Sequence, residues 1–132
     1  MNTKKMKKNY FNYDEKNDIF TIHKGFTDNE TFDGNIDTGN IIFDVSTKGR
    51  IRGVEIMDAT RFFNQSYKLS PTNIKEIQKR LQVLNKADFK AQATPNGMII
   101  TLFTQTKKLT KIVPTKIALP LEMRPNQIKV IT

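Results

Sequence analysis

Apolar and polar residues are most strongly patterned in the middle of the chain. The runs 41–45 (Ile-Ile-Phe-Asp-Val) and 50–56 (Arg-Ile-Arg-Gly-Val-Glu-Ile) flank Ser46-Thr47-Lys48-Gly49. Such a spacing predicts a β-hairpin closed by a type I turn with a glycine bulge, Gly49 taking the positive φ that a Cβ disfavours. The register then pairs Val45 with Ile51, Asp44 with Arg52 and Ile42 with Val54, setting charge against charge and apolar against apolar. It places Ile41, Phe43, Val45 and Ile51 on one face, and Ile42, Val54 and Ile56 on the other. A central hairpin covered on both faces is therefore expected, with Gly53 opposite Phe43 leaving room for its ring. Asp58 follows as the N-cap of a short helix starting at Ala59.

Before the hairpin, 10–13 and 19–23 read as strands joined by a polar turn. Phe20 and Ile22 point one way, and Ile19, Thr21 and His23 the other. Residues 25–40 lack periodicity and are rich in Asp, Asn, Thr and Gly. They read as a loop with a helical turn near 28–32. Ser70-Pro71 opens a second, longer helix, with Ile74, Ile77, Leu81 and Leu84 as its buried stripe and Asn85 as its stop. Residues 87–94 alternate cleanly, Pro95-Asn96-Gly97 turns, and 98–105 return. Residues 109–113 and 116–119 form a further strand interrupted by Pro114, which marks an edge. A last edge strand is expected at 127–131. The predicted fold is α+β: a mainly antiparallel sheet with one short and one longer helix packed on it. Residues 1–9 are expected to be a flexible basic leader, and 10–132 a single domain.

Tyr13-Asp14, Asp18-Ile19-Phe20-Thr21-Ile22, Phe43-Asp44-Val45, the run from Gly49 to Ile56 and Asp58-Ala59-Thr60 together resemble a small prokaryotic family, domain of unknown function 2283. The resemblance covers about residues 10–64; 65–132, a helix plus a β-hairpin, lie outside it. It departs from the family pattern at Thr60, where Ser is usual, and in the length of the loop 25–40. It implies a fold unit and carries over no catalytic residue.

Charge divides the chain. Residues 1–10 hold four Lys and no acid, residues 11–65 six basic and ten acidic side chains, and residues 66–132 twelve basic and three acidic. An acidic module joined to a basic one is expected. With no Cys, thiolate catalysis, thiolate metal sites and disulfides are excluded. No run reaches the ~18 apolar residues of a membrane helix. A cytoplasmic protein with no membrane contact is expected.

The basic half carries the best functional lead. Lys75, Lys79 and Lys86 share a helix face with Arg80 beside it, and Lys107, Lys108, Lys111 and Lys116 cluster on the second hairpin and the strand after it. Spread, flexible cations suit contacts to the phosphate backbone of nucleic acid. The plainer reading is a solvated lysine face. A protein partner or a homodimer, in an antitoxin-like regulatory module that pairs through an exposed edge such as 116–119, is the alternative. Enzyme chemistry comes third. Asp44, Arg52, Glu55 and Asp58 lie close in sequence, but the register makes them pairing and capping residues, structural alongside Gly49 and Gly53. Residues 29–40 half-mimic a calcium loop yet end on Asn40 instead of a bidentate Glu. His23 is the only His and has no partner set for a metal. No cofactor motif is present, and none is expected to bind.

Overall fold

A computed structural model describes residues 10–67, 74–106 and 113–120. Two antiparallel sheets and two helices make an α+β fold. Strands β1 (Tyr10–Asp14), β2 (Ile19–His23), β3 (Phe32–Asp37), β4 (Ile41–Ser46) and β5 (Ile51–Met57) form the first sheet, in the order β1-β2-β5-β4-β3. Helices α1 (Ala59–Tyr67) and α2 (Ile74–Gln82) follow, and β6 (Leu84–Thr94), β7 (Gly97–Thr106) and β8 (Val113–Pro120) form the second sheet in chain order. The expected strand at 127–131 and the cap at Ser70-Pro71 lie outside the described residues.

The hairpin turn is as its residues predict. Gly49 has φ 75°, its N–H reaches the Ser46 carbonyl at 2.8 Å, and Val45 faces Ile51. Beyond that pair the register differs from expectation. Asp44 faces Gly53 and Ile42 faces Glu55, because Arg52 is an extra, bulged residue in β5. One inserted residue moves every later side chain to the opposite face. Val54 and Ile56 therefore join Phe43 and Ile41, and the hairpin has one apolar face instead of two. Gly53 lies opposite Asp44 and not Phe43. The bulge also dissolves the expected Asp44–Arg52 pair: the Arg52 guanidinium donates to the carbonyls of Gly25 at 3.1 Å and Lys24 at 3.2 Å.

The inner face of the first sheet buries Phe20, Ile22, Phe43, Val54 and Ile56, in one cluster with Phe63 of α1, Ile77 and Leu81 of α2, and Phe89, Ile100 and Leu102 of the second sheet. Phe20 meets Phe63 edge-on at 5.4 Å between centroids, the preferred geometry for such a pair. In α2, Ile77 and Leu81 are buried while Ile74 is half exposed, and Leu84 begins β6 instead of ending the helix stripe. The helix thus closes at Gln82, short of Asn85.

Residues 25–40 are not a loop throughout. Thr27 and Glu30 form a tight turn, and β3 follows as an edge strand, kinked between Phe32 and Gly34. Ile36 is its one fully buried side chain, so apolar alternation has little to show there. Asp58 is exposed, and its side chain is not the cap. The carboxylate of Asp18, from the β1–β2 turn, accepts the Thr60 N–H at 3.1 Å and the Thr60 hydroxyl at 2.7 Å.

Candidate functional site

Opposed residues in an antiparallel pair share a face, so the registers map the open face of the second sheet. Inner-facing Phe89, Leu102 and Thr115 form one row across the strands, and Ala91, Ile100 and Ile117 the next. On the outer side Lys90, Thr101 and Lys116 lie in a single row across all three strands. At ~4.8 Å between neighbouring strands, the two lysine backbones stand about 10 Å apart. Half-buried Phe103 occupies the adjoining row on one side, half-buried Ile99 the row on the other, and Lys86 faces Gln105 further along. Lys86, Lys90 and Lys116 are exposed. Asp88 is the acid on this face among the described residues, and the Lys24 ammonium sits 3.1 Å from its carboxylate. The same ammonium lies 4.5 Å from the Phe89 ring centroid. The face therefore keeps a positive surplus.

The remaining predicted cations do not join it. Lys75 and Lys79 are exposed on α2, whose Ile77 and Leu81 are buried in the core that the inner sheet faces close. The helix lysines are thus on α2 and not in the row that the sheet registers define. Arg80 is half-buried on the same helix. Lys107, Lys108 and Lys111 lie outside the described residues. Lys90 is the face residue that the sequence reading missed, although its place in the alternation of 87–94 shows it pointing away from Phe89.

The outer face of the first sheet is the other polar surface. There His23, Gly53, Asp44 and Asn35 form a row through the paired registers. The Asp44 carboxylate accepts from Asn35 at 2.6 Å and stands 3.4 Å from His23 Nε2, while His23 Nδ1 accepts the Gly25 N–H at 2.7 Å. Burial pushes His23 below the ordinary imidazole value, with the Asp44 carboxylate opposing it. Both ring nitrogens are engaged within the protein, one by the Gly25 N–H and the other facing Asp44. Glu55 faces Ile42 and Thr21 across its two neighbouring strands. Among the described residues no group of three or more His, Asp or Glu is placed to hold a metal ion.

Gly53 is required by this packing. A Cβ there would come within 2.4 Å of His23 Cδ2 and 2.9 Å of Asp44 Oδ2. Gly53→Ala is expected to displace the imidazole and to cost about 1–3 kcal/mol, as overpacking does. Thermal unfolding measures the loss, and an NMR titration of His23 follows the ring. An unchanged melting temperature with an unchanged His23 titration would refute the close approach.

The hairpin with its turn glycine, the strand pair before it and the one-faced sheet they build all lie within residues 10–57. Residues 11–59 match the family described as Protein of unknown function (DUF2283). No curated protein and no solved structure matches the chain. The DUF2283 match begins in β1 and ends at the first residue of α1, so it coincides with the five-stranded sheet. It stops short of residue 64, and α2 and the three-stranded sheet with its lysine row lie beyond it. No helix among the described residues is long and apolar enough to cross a membrane.

Proposed function

We propose that the chain binds nucleic acid through its phosphates, on the outer face of the three-stranded sheet appended to the DUF2283 unit. The observation that supports this is the row Lys90–Thr101–Lys116 on an open face whose acid, Asp88, is already balanced by Lys24. Lysine serves as a point charge without the bidentate geometry that reads base edges, so recognition is of the backbone and not of sequence. Phe103 beside the row offers one ring for a base to stack on, which favours single strands over duplexes. That buried side chains of both sheets belong to one cluster supports reading the two as one α+β domain.

Fluorescence anisotropy with short single strands and duplexes tests the proposal. With Lys86, Lys90 and Lys116 each meeting a phosphate, the log–log salt slope on single strands is about −2, so raising salt about threefold weakens binding by roughly tenfold. Changing the three lysines to Gln together is expected to abolish that slope. Absence of binding at low salt, or binding indifferent to salt, would sink it. The alternative, a protein-interaction or homodimerising module, is supported by a different feature, the outer edge of β6, which no strand pairs among the described residues.

A further inference from the structure

Four sheet edges are present among the described residues, and three are blunted. β1 has only five residues, β3 is kinked by its bulge, and β8 carries Pro114 and touches α1. Each is a recognised device against strand addition. β6 differs: it is 11 residues long, contains neither Pro nor Gly, pairs regularly with β7 from Lys86 to Thr94, and stands at the end of its sheet. At its middle the Phe89 N–H donates to the Asp88 carboxylate at 2.7 Å, and Lys24 holds the same oxygen. A backbone donor held by its neighbour's side chain is how an edge donor is satisfied when no strand lies beside it.

We propose that β6 pairs antiparallel with β6 of a second copy about a twofold axis at Phe89, joining two three-stranded sheets into one of six. The charges select the register. Opposed residues must share a face, so the axis passes through a residue and not between two. An axis at Asp88 sets that carboxylate against its own copy and Lys86 against Lys90. An axis at Lys90 sets two ammonium groups together. An axis at Phe89 sets Asp88 against Lys90 twice, Lys86 against Gln92, Ala87 against Ala91 and Phe89 against itself. It also uses the whole strand, because Phe89 is the midpoint of Leu84–Thr94. Pairing returns the Phe89 N–H to a backbone carbonyl and gives Asp88 a new cation in place of Lys24, a partly exposed ion pair that is easily exchanged. Twofold pairing consumes the free edge, so assembly stops at two. The inference rests on the edge, with Asp88 and Lys90 of the outer face setting its register. Its readout is mass and not nucleic-acid binding, so the two can fail separately.

Size-exclusion chromatography with light scattering on the full chain, over about a hundredfold range of concentration, tests it. A mass rising to twice that of the chain and no further is expected. Asp88→Lys or Lys90→Asp alone sets like charges opposite each other and weakens the dimer by roughly tenfold or more. The double variant Asp88→Lys/Lys90→Asp restores both pairs and with them the dimer. Lys24 has lost its Asp88 partner in the double variant as in Asp88→Lys, so a role for Asp88 confined to one chain would not be rescued. A chain monomeric at every concentration, growth beyond a dimer, or a double variant as dissociated as the single ones would overturn the proposal.

Discussion

Glu30→Gln is expected to lower stability by about 2 kcal/mol at neutral pH and to remove the part of the acid sensitivity between pH 4.5 and 2 that Glu30 contributes. Glu30 is almost fully buried at the Thr27–Glu30 turn, where both its oxygens are taken by the Arg50 guanidinium and one also by the Ser46 hydroxyl at 2.6 Å. The Arg50 hydrogen bonds come first among the causes that bring its carboxyl from the ordinary 4.5 down to about 2. A carboxyl whose pKa falls on folding stabilises the folded state fully above its unfolded value. That stability is lost as pH falls from about 4.5 to about 2. The shift corresponds to about 3 kcal/mol, which solvent screening at half-exposed Arg50 reduces to about 2. Urea unfolding at a series of pH values should show wild type and variant converging near pH 2. Curves that stay parallel down to that pH would show that the pair contributes nothing. The same cluster holds the turn to the hairpin, since the Thr47 N–H donates to the Thr31 carbonyl at 2.8 Å and the Thr31 N–H to the Thr47 hydroxyl at 3.1 Å.

That cluster marks where sequence patterning loses its reach. Glu30 and Arg50 are twenty positions apart, and 25–40 carry too few apolar residues to announce a strand. β3 earns its place by backbone pairing to β4 and one buried side chain, Ile36. Local signals served well wherever the chain turns on itself. Gly49 fixed the first hairpin's tip, and Pro95-Asn96 separate the paired residues Thr94 and Gly97 in the second. The alternation Ala87, Phe89, Ala91 told the two faces of β6 apart. The bulge at Arg52 was legible too, though in the apolar spacing and not in the charges. Ile51 and Val54 are three apart and Val54 and Ile56 two, which one face of a strand can hold only with an inserted residue. Matching Asp44 to Arg52 hid that spacing.

The candidate interface shows the same division. Lys116 sits on the outer sheet face because strand periodicity places it there, and the same rule adds Lys90. Lys86, expected on the helix face with Lys75 and Lys79, lies in β6 because the helix closes at Gln82. Lys75 and Lys79 lie on α2, outside the lysine row of the sheet. Nothing in the helix's own pattern specifies where they stand relative to it, because Ile77 and Leu81 would bury equally well against either face of a sheet. The match to DUF2283 likewise ends where the first sheet ends, so the basic half of the chain lies outside the match.

Asp18→Ala is expected to cost about 2–3 kcal/mol, a fall in melting temperature of roughly 10 °C, whereas Asp58→Asn should cost less than about 0.5 kcal/mol. Both residues have φ 56°, and both precede or approach the start of α1, yet their side chains have different work. The Asp58 carbonyl accepts the Phe62 N–H at 3.1 Å, the backbone role of an N-cap, while its side chain is exposed. The side-chain role belongs to Asp18, which accepts the Thr60 N–H and hydroxyl and the Tyr13 hydroxyl at 2.7 Å, while its backbone carbonyl takes the Ala59 N–H at 3.0 Å. Removing its carboxylate strands three donors in a partly buried site, which is more costly than losing an ordinary exposed cap. The substitution carries its own internal reporter. Burial raises the Tyr13 hydroxyl above the usual tyrosine range, and the hydrogen bond to Asp18 raises it further. In Asp18→Ala the second contribution vanishes and the first stays, so an ultraviolet titration should show Tyr13 ionising at lower pH than in wild type but still above a free tyrosine. Equal losses from Asp18→Ala and Asp58→Asn, with no movement of Tyr13, would return the cap to Asp58. The expected inequality instead ties α1 to the β1–β2 turn, and so makes the helix a part of the first sheet's stability and not merely its continuation.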